Sequence, residues 1–334
     1  MATYKEIRGT NIEVVSSDPS NPVTGQVWFN STDNVLKGNS GPLVGAWATG
    51  NNLNTAVRSM SSFGIKTAAV ATGGVHPGPP NSRSALTELY NGTNWTEVND
   101  LNTARSNLGQ GAGTTTAGLA FSGFKPGETP SYTGLTETWN GSNWTAVNPL
   151  NTGRIDGGGA GTNTAALSFG GGNPNALNET ETWNGTNWTE VNNLNTARGG
   201  TQGSGATNTA SLCFGGYIGP ARSANTELWN GTNWTEVNDM NRGVNVAGAG
   251  GTTTSSLCFG GDSDSVTRSA NTESWNGTNW TNGADLNSGR RQLGGAGADN
   301  TSALAFGGED GSSAELATTE EWSFSGGTVT FTDS

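Results

Sequence analysis

The sequence predicts an all-β fold built from six similar units, each with four short antiparallel strands. The composition is the first observation: glycine occupies 53 of 334 positions and tryptophan 12, while only 13% of residues are charged, which disfavours long helices. The second observation is a repeat period of ~46 residues, and the third is a sequence typical of a β-hairpin in each full repeat. Six repeats of this kind are typical of a six-bladed β-propeller.

The charge and the cysteines exclude several classes of protein. A net charge of -12 and a pI near 4.5 argue against nucleic-acid binding and against attachment to anionic membranes, because both need a cationic surface. No run of apolar residues is long enough to insert into a membrane. Cys213 and Cys258 both lie in the phrase SLCFGG, so we expect repeated core positions rather than a disulfide.

The repeat is defined by the phrase ETWNGTNWTEVN. Its first aromatic residue recurs every 44 to 49 positions, at Tyr90, Trp139, Trp183, Trp229, Trp275 and Trp322. Its second aromatic residue is expected to be structural and recurs at Trp95, Trp144, Trp188, Trp234 and Trp280, with Trp47 in the same place upstream. Tryptophans of this kind can each bury ~150–250 Å² in a core.

The first repeat lacks its opening half and the last lacks its closing half. We therefore expect a C-terminal strand near 318–324 to pair with an N-terminal strand near 46–49, so that one sheet is assembled from both ends and the ring closes. The predicted domains are an N-terminal segment or hairpin over residues 1–45, a propeller over 46–324 and a tail over 325–334.

Each hairpin is predicted from an Asn-Gly pair between two strands. Such a pair favours a tight type I′ turn, in which both central residues have positive φ. Aromatic residues five apart across this turn, such as Trp183 and Trp188, are expected to lie on the same face of the sheet.

The repeat resembles the kelch family of propellers. The matching residues, in the fourth copy, are Gly215, Gly216, Glu227, Trp229, Trp234, Met240 and Arg242. The resemblance covers residues 46–324, although the two aromatics lie closer together than is usual in kelch repeats. It implies that the long loops between the second and third strands, and the connections between blades, emerge on one face.

Those loops differ among the repeats and carry the candidate ligand contacts Tyr132, Tyr217, Arg222 and Arg268. Aromatic and arginine side chains on loops are common recognition residues. Drift in unconstrained loops is the alternative interpretation.

Two charged residues also recur once per repeat. The arginines are Arg58, Arg105, Arg154, Arg198, Arg242 and Arg290. The glutamates are Glu88, Glu137, Glu181, Glu227, Glu273 and Glu320. Kelch geometry implies an arginine ring at the mouth of the channel, where it would clamp an anion. The alternative, which we favour, is that each arginine pairs with a glutamate as part of the scaffold.

The residues for catalysis are sparse. His76 is the only histidine, and no metal-binding or catalytic motif is present. We therefore expect no catalytic residues, no metal and no cofactor. Two alternatives stay open: Ca²⁺ binding by Asp262 and Asp264, and glycosidase activity from a pair of carboxylates.

The N-terminal stretch from Gly25 to Gly38 (GQVWFNSTDNVLKG) is similar to a phrase in virion structural and tail-fibre proteins of bacteriophages, marine phages and cyanophages among them. The resemblance implies a non-enzymatic protein of the virion surface that is attached to other virion proteins by its N-terminal segment. A propeller presented there would bind a host-surface polysaccharide or a protein. The alternatives are a capsid decoration or tail adaptor that contacts only virion proteins, and a glycan-degrading enzyme.

Overall fold

The computed structural model describes residues 12–19, 25–39, 44–78, 82–127, 129, 131–325 and 328–331. In these ranges the ordered elements are strands, and no helix is present, so none that could span a membrane. The all-β fold predicted from the sequence is confirmed. The chain divides into two compact units, one comprising Met1–Ala46 with Phe324–Ser334 and the other Trp47–Ser323.

The smaller unit contains one mixed sheet of four strands in the order β1-β2-β3-β30. These strands are β1 (Glu13–Val15), β2 (Val27–Asn30), β3 (Val35–Asn39) and β30 (Thr328–Phe331). Trp28 is fully buried and donates from Nε1 to Asp18 Oδ1 at 3.1 Å. Hydrogen bonds from Lys37, Asn30 and Trp28 lower the pKa of Asp18 to about 2.

The larger unit contains six four-stranded sheets within the described residues. Sheets 1 to 3 consist of β5 (Ser61–Ile65), β6 (Ala68–Thr72), β7 (Thr87–Tyr90) and β8 (Trp95–Val98); β9 (Ala112–Thr114), β10 (Ala117–Phe121), β11 (Thr136–Trp139) and β12 (Trp144–Val147); and β13 (Gly158–Gly161), β14 (Ala166–Phe169), β15 (Thr180–Trp183) and β16 (Trp188–Val191).

Sheets 4 to 6 follow the same plan. They consist of β17 (Gln202–Thr207), β18 (Ala210–Phe214), β21 (Thr226–Trp229) and β22 (Trp234–Val237); β23 (Gly248–Gly251), β24 (Ser256–Phe259), β25 (Thr272–Trp275) and β26 (Trp280–Asn282); and β27 (Gly294–Asp299), β28 (Ser302–Phe306), β29 (Thr319–Ser325) and β4 (Val44–Gly50). A small hairpin of β19 (Tyr217–Ile218) and β20 (Ala221–Arg222) lies in the loop of sheet 4.

Sheet 6 joins the two ends of the repeat array, because its outermost strand β4 is N-terminal to all the others and lies beside β29. The innermost strands of successive sheets contact each other from β5 through β9, β13, β17 and β23 to β27. Strand β27 in turn contacts β5. The contacts between sheets therefore run in a cycle.

The innermost strands are rich in glycine because neighbouring backbones approach closely there. A Cβ added at Gly295 in β27 would lie 2.4 Å from the carbonyl oxygen of Ala249 in β23 of the neighbouring sheet. A side chain would push the two sheets apart at this point. This packing accounts for part of the high glycine content.

Paired tryptophans form the core between sheets. Trp183 lies opposite Trp188 in sheet 3, with ring centroids 5.4 Å apart, as the sequence predicted. Trp188 Nε1 also donates to Thr136 Oγ1 of the preceding sheet at 3.1 Å. The same bond joins Trp47 to Thr272, Trp95 to Thr319, Trp144 to Thr87, Trp234 to Thr180 and Trp280 to Thr226.

The predicted type I′ turn is wrong. Because Trp183 pairs with Trp188, the loop between them has four residues, and Gly185 is the one with positive φ, at +90°. Asn184 Oδ1 accepts hydrogen bonds from the backbone N–H groups of Thr186 at 2.9 Å and Asn187 at 2.8 Å. The asparagine side chain therefore shapes the turn, as in an Asx turn.

The two cysteines lie in the core, as expected. Cys213 and Cys258 are free and fully buried in β18 and β24. Burial raises the pKa of their thiols to about 11 and about 12, so both are inert apolar side chains at neutral pH.

Candidate functional site

The loops between the second and third strands of the six sheets, together with the connections between sheets, define one face of the larger unit, here called the loop face. A glycine doublet opens most of these loops, and both of its residues have positive φ, as at Gly170 (+59°) and Gly171 (+91°). A Cβ at Gly171 would lie 2.6 Å from the carbonyl oxygen of Ile155. This close approach holds each loop against the connection that enters its sheet.

Side chains at equivalent positions differ strongly on the loop face. One residue follows the doublet directly, or follows Ser122-Gly123 in the sheet that lacks the doublet. This residue forms an isolated antiparallel β-bridge with the connection that precedes its own sheet. In sheets 1 to 6 this residue is Val75, Phe124, Gly172, Tyr217, Asp262 and Glu309. The scaffold is thus repeated while the surface that it presents is not.

The predicted arginine ring at the channel mouth needs correction. Equivalent positions in the six connections can be identified by one backbone hydrogen bond. In it, the N–H of the second glycine of a doublet donates to the carbonyl oxygen of a residue in the next connection, as Gly171 N does to Arg198 O at 3.0 Å. By this criterion the set is Val57, Arg105, Arg154, Arg198, Val244 and Arg290. Arg58 and Arg242 do not belong to it, because Arg58 lies one residue after Val57 and Arg242 two before Val244.

The four arginines of the set are fully buried in ion pairs. Each pairs with the recurring glutamate on the third strand of the sheet that it precedes: Arg105 with Glu137 at 2.5 Å, Arg154 with Glu181 at 2.7 Å, Arg198 with Glu227, and Arg290 with Glu320 at 2.6 Å. Burial lowers the pKa of Arg290 to about 10, still far above neutral. These side chains cannot reach a ligand, so for them the ion-pair alternative is right.

The other two glutamates are held differently. Arg242 still reaches Glu273, at 3.4 Å, from its displaced position. Glu88 has no arginine and accepts instead from Asn54 N at 2.8 Å and Thr55 N at 3.1 Å. All six glutamates are at most 4% exposed, consistent with a structural role.

The centre of the loop face is formed by six residues with positive φ, here called the mouth: Ser59, Asn107, Asp156, Gly200, Val246 and Gln292. Backbone hydrogen bonds join neighbours, for example Ser59 N to Gln292 O at 2.9 Å and Val246 N to Gly200 O at 2.9 Å. A small cavity of ≈ 50 Å³ opens here, lined in part by Gln110, Gln202 and Gln292.

The mouth was not predicted from the sequence. Its residues lie one to four positions after the recurring arginines, and three of them, Asn107, Asp156 and Gly200, are of the types that tolerate positive φ best. This preference could have predicted a shared turn with positive φ after the recurring arginines.

Asp156 is the acidic residue of the mouth. Both its carboxylate oxygens accept from Asn107 Nδ2, at 3.1 and 3.2 Å. Burial raises the pKa of Asp156 to about 6. The charge of Asp156 and burial together raise the pKa of Tyr217, whose ring packs against Gly199.

The predicted contacts Tyr132 and Tyr217 lie in an aromatic sector beside the mouth, defined by Phe124, Tyr132 and Tyr217. The rings of Phe124 and Tyr132 are 5.7 Å apart, and the guanidinium carbon of Arg83 lies 4.9 Å from the centre of the Phe124 ring. Both tyrosines are half-buried, so part of each ring faces solvent.

The predicted contacts Arg222 and Arg268 lie in a second group, here called the charged sector: Arg58, Arg222, Arg268, Arg291, Asp262, Asp264, Glu309 and Glu315. Glu309 accepts from Arg291 Nε at 2.6 Å and from Arg268 Nη2 at 2.9 Å, and it lies 3.3 Å from Arg58 Nε. The structure therefore places all four predicted contacts on the loop face, but in two separate sectors.

The geometry of Asp262 and Asp264 does not favour calcium. Asp262 accepts from Arg291 Nη1 at 2.6 Å and from the backbone of Arg268 at 2.8 Å. Arginines that surround a carboxylate repel a cation. Across the described ranges no three His, Cys, Asp or Glu side chains form a metal-binding group.

The opposite face of the unit is more uniform than the loop face, because four of the six sheets carry the same pair of side chains there. Its turns between the first two strands carry threonine pairs, at Thr114 and Thr116, Thr162 and Thr164, Thr207 and Thr209, and Thr252 and Thr254. A second cavity of ≈ 460 Å³ opens there, lined mainly by glycine and alanine. It offers few side-chain groups that could distinguish ligands.

The fold is similar to that of a solved structure entitled "Structure of YjhT". The TM-score is 0.63, with 14% sequence identity, over 80% of this chain and 95% of that chain. At this identity the similarity concerns the propeller-type fold alone. No protein-family model matches the sequence, and a comparison with curated proteins found no match.

Proposed function

We propose that the protein is a non-enzymatic protein of a bacteriophage virion surface whose kelch-like propeller binds a host-surface glycan through the loop face. The observation that carries the proposal is the contrast between the two faces: equivalent positions differ in all six sheets on the loop face, whereas four of the six turns on the opposite face carry the same threonine pair. A rigid scaffold that presents varied loops is a common basis of recognition.

The aromatic sector and the mouth have the chemistry that a sugar needs. Phe124, Tyr132 and Tyr217 supply apolar ring surface with polar edges. The amides of the mouth and Asp156 supply donors and acceptors for hydroxyl groups. The mouth cavity of ≈ 50 Å³ is too small to enclose a sugar ring. We therefore place the saccharide on the surface of the loop face, across the aromatic sector and the polar edge of the mouth.

The recurring glutamates support the non-enzymatic part of the proposal. A glycosidase needs two carboxyl groups that reach the scissile bond from either side. Glu227 is fully buried and paired with Arg198, and the other five recurring glutamates are buried as well. None of the six is exposed to a substrate.

The virion part of the proposal rests on the resemblance of residues 25–38 to phage structural proteins. Attachment through the N-terminal segment to other virion proteins would place many propellers on one particle. Many weak sites on one particle reach high avidity through effective concentration, so that no single site needs to bind tightly.

The test is binding of the purified protein to a glycan array, with Tyr132→Ala and Tyr217→Ala as loop-face variants. Thr209→Ala, an exposed change on the opposite face, is the matched control. We expect binding that falls at least ~10-fold in the tyrosine variants, the size of a lost hot-spot contact, and is unchanged in the control.

Three outcomes would contradict the proposal. Equal loss in all three variants would remove the loop face as the site. Absence of glycan binding, together with ordered contacts to virion proteins in images of the particle, would show a decoration or adaptor. Release of sugar from host polysaccharide would show an enzyme.

A further inference from the structure

The charged sector concentrates cationic groups in an otherwise acidic protein. It contains four of the 15 lysines and arginines of a chain with net charge -12. Their carboxylate partners Asp262 and Glu309 are nearly inaccessible, with side chains 2% and 3% exposed, whereas the side chains of Arg58, Arg222 and Arg291 are 27%, 29% and 30% exposed. Asp262 and Glu309 thus lie beneath these three guanidinium groups, whereas the fourth arginine, Arg268, is 16% exposed and Asp264 is 60% exposed.

Arg222 is weakly bound within this group. Its Nη2 lies 4.0 Å from Asp262 and its Nη1 3.8 Å from Asp264, beyond hydrogen-bond distance in both cases. Its guanidinium makes one hydrogen bond to the described residues, from Nη1 to Pro220 O at 3.4 Å, and its Nε has no acceptor among them. A guanidinium that makes so few bonds can take an oxyanion in a bidentate fork.

The neighbouring arginines are fixed in place for the same ligand. Arg268 is held by Glu309 and by Ser313 Oγ at 2.8 Å, and Arg291 bridges Asp262 and Glu309 at 2.6 Å each. Arg58 Nη1 donates to Gln292 of the mouth at 2.9 Å, which connects the sector to the cavity. A preorganised cluster of this kind costs little to bind an anion.

We propose that the charged sector binds the oxyanion of an acidic saccharide, a carboxylate or a sulfate ester, with Arg222 as the principal contact. The inference rests on the proposed function and adds the class of glycan. Asp264, whose side chain is 60% exposed, competes with the ligand for Arg222. The saccharide ring extends from there toward the mouth.

The experiment measures the affinity of the full-length protein for three oligosaccharides of equal length: an oligouronate, a sulfated oligosaccharide and a neutral one. We expect at least one acidic ligand to bind roughly 10-fold or more tightly than the neutral one, as expected for one charge-assisted contact, and the tighter acidic ligand identifies the oxyanion. The preference should shrink as salt is raised.

Variants of opposite sign make the test specific. Arg222→Gln should lose the preference for the acidic ligand, whereas Asp264→Asn should strengthen acidic binding roughly 2- to 5-fold, because it removes an exposed competing charge. Lys66→Gln removes one positive charge at a turn of the opposite face and should change nothing. If Arg222 had only a structural role, Asp264→Asn would not increase the affinity for the acidic ligand.

The failures are distinguishable. Equal binding of acidic and neutral ligands, or an unchanged preference in Arg222→Gln, would overturn this inference and leave the proposed function standing. Absence of binding to all three would overturn both. Binding of polyglutamate as tight as that of the acidic saccharides would assign the sector to an acidic protein segment instead.

Discussion

At the scale of single residues, the six buried glutamates show what a repeat predicts and what it does not. Recurring opposite charges predicted buried pairs, and five of the six glutamates have an arginine partner. The exact partners were not predictable at Arg58, because a shift of one residue in the connection directs it to Glu309 and Glu315, whereas the displaced Arg242 still reaches Glu273. Val57 and Val244 take the vacated positions.

The carboxyl group of Asp156 should make the stability of the fold depend on pH. Its pKa is raised by burial from 3.8 to about 6. Between these values the folded protein keeps a proton that the unfolded chain has lost, so the free energy of unfolding falls as pH rises through this window. Asp156→Asn removes the ionisation and keeps an acceptor for Asn107.

We therefore expect Asp156→Asn to be more stable than the natural protein by roughly 1–2 kcal/mol at about pH 7.5, and equally stable near pH 3.5. This difference is smaller than the full shift of the pKa would give, because Asp156 is only half-buried and solvent screens part of the effect. Urea unfolding of both proteins across this range is the measurement. A difference that does not vary with pH would show that Asp156 acts through packing alone.

At the scale of elements, the strands and hairpins were predictable and the turn type was not. The Asn-Gly pair and the aromatic residues on either side of it identified the two strands, and Trp183 does face Trp188. An Asn-Gly pair predicts a loop of two residues, but the loop also contains Thr186 and Asn187. Their backbone N–H groups do not pair with the opposite strand, because they donate to Asn184 Oδ1. A side-chain hydrogen bond of this kind competes with the backbone turn that the dipeptide alone favours.

Replacement of Asn184 tests this account of the hairpin. Asn184→Ala removes the acceptor of two backbone N–H groups and should lower the free energy of unfolding by ~1 kcal/mol. Asn184→Asp keeps the oxygen in place and should stay within ~0.5 kcal/mol of the natural protein. Chemical denaturation distinguishes them, and an equal loss in both variants would assign the turn to the backbone.

At the scale of the whole larger unit, the sequence predicted the scaffold better than the site. Each repeat encodes its own sheet through local signals, so the number and order of strands follow from one copy. The mouth brings together residues from six copies, such as Ser59, Asp156 and Gln292, and no local pattern shows that these are neighbours. The division of the loop face into two sectors likewise arises from residues that differ between copies.

The cycle of contacts makes a prediction about cooperativity. Strand β4 brings Trp47 into a sheet whose other strands come from the C-terminal end of the array. Trp47 donates to Thr272 at 2.9 Å and packs against Phe259 with ring centroids 4.9 Å apart. Its counterpart Trp144, within a sheet made of consecutive strands, donates to Thr87 at 3.0 Å.

If the six sheets unfold as one body, Trp47→Ala and Trp144→Ala should each cost about 3–5 kcal/mol, the range for buried aromatic residues. Each variant should lower a single calorimetric transition, because losing either contact interrupts the same cycle. The exposed change Thr189→Ala is the control and should leave the transition unchanged. An early, separate transition in Trp47→Ala alone would show that sheet 6 opens independently, and the contacts between β27 and β5 would then not couple the two ends of the array.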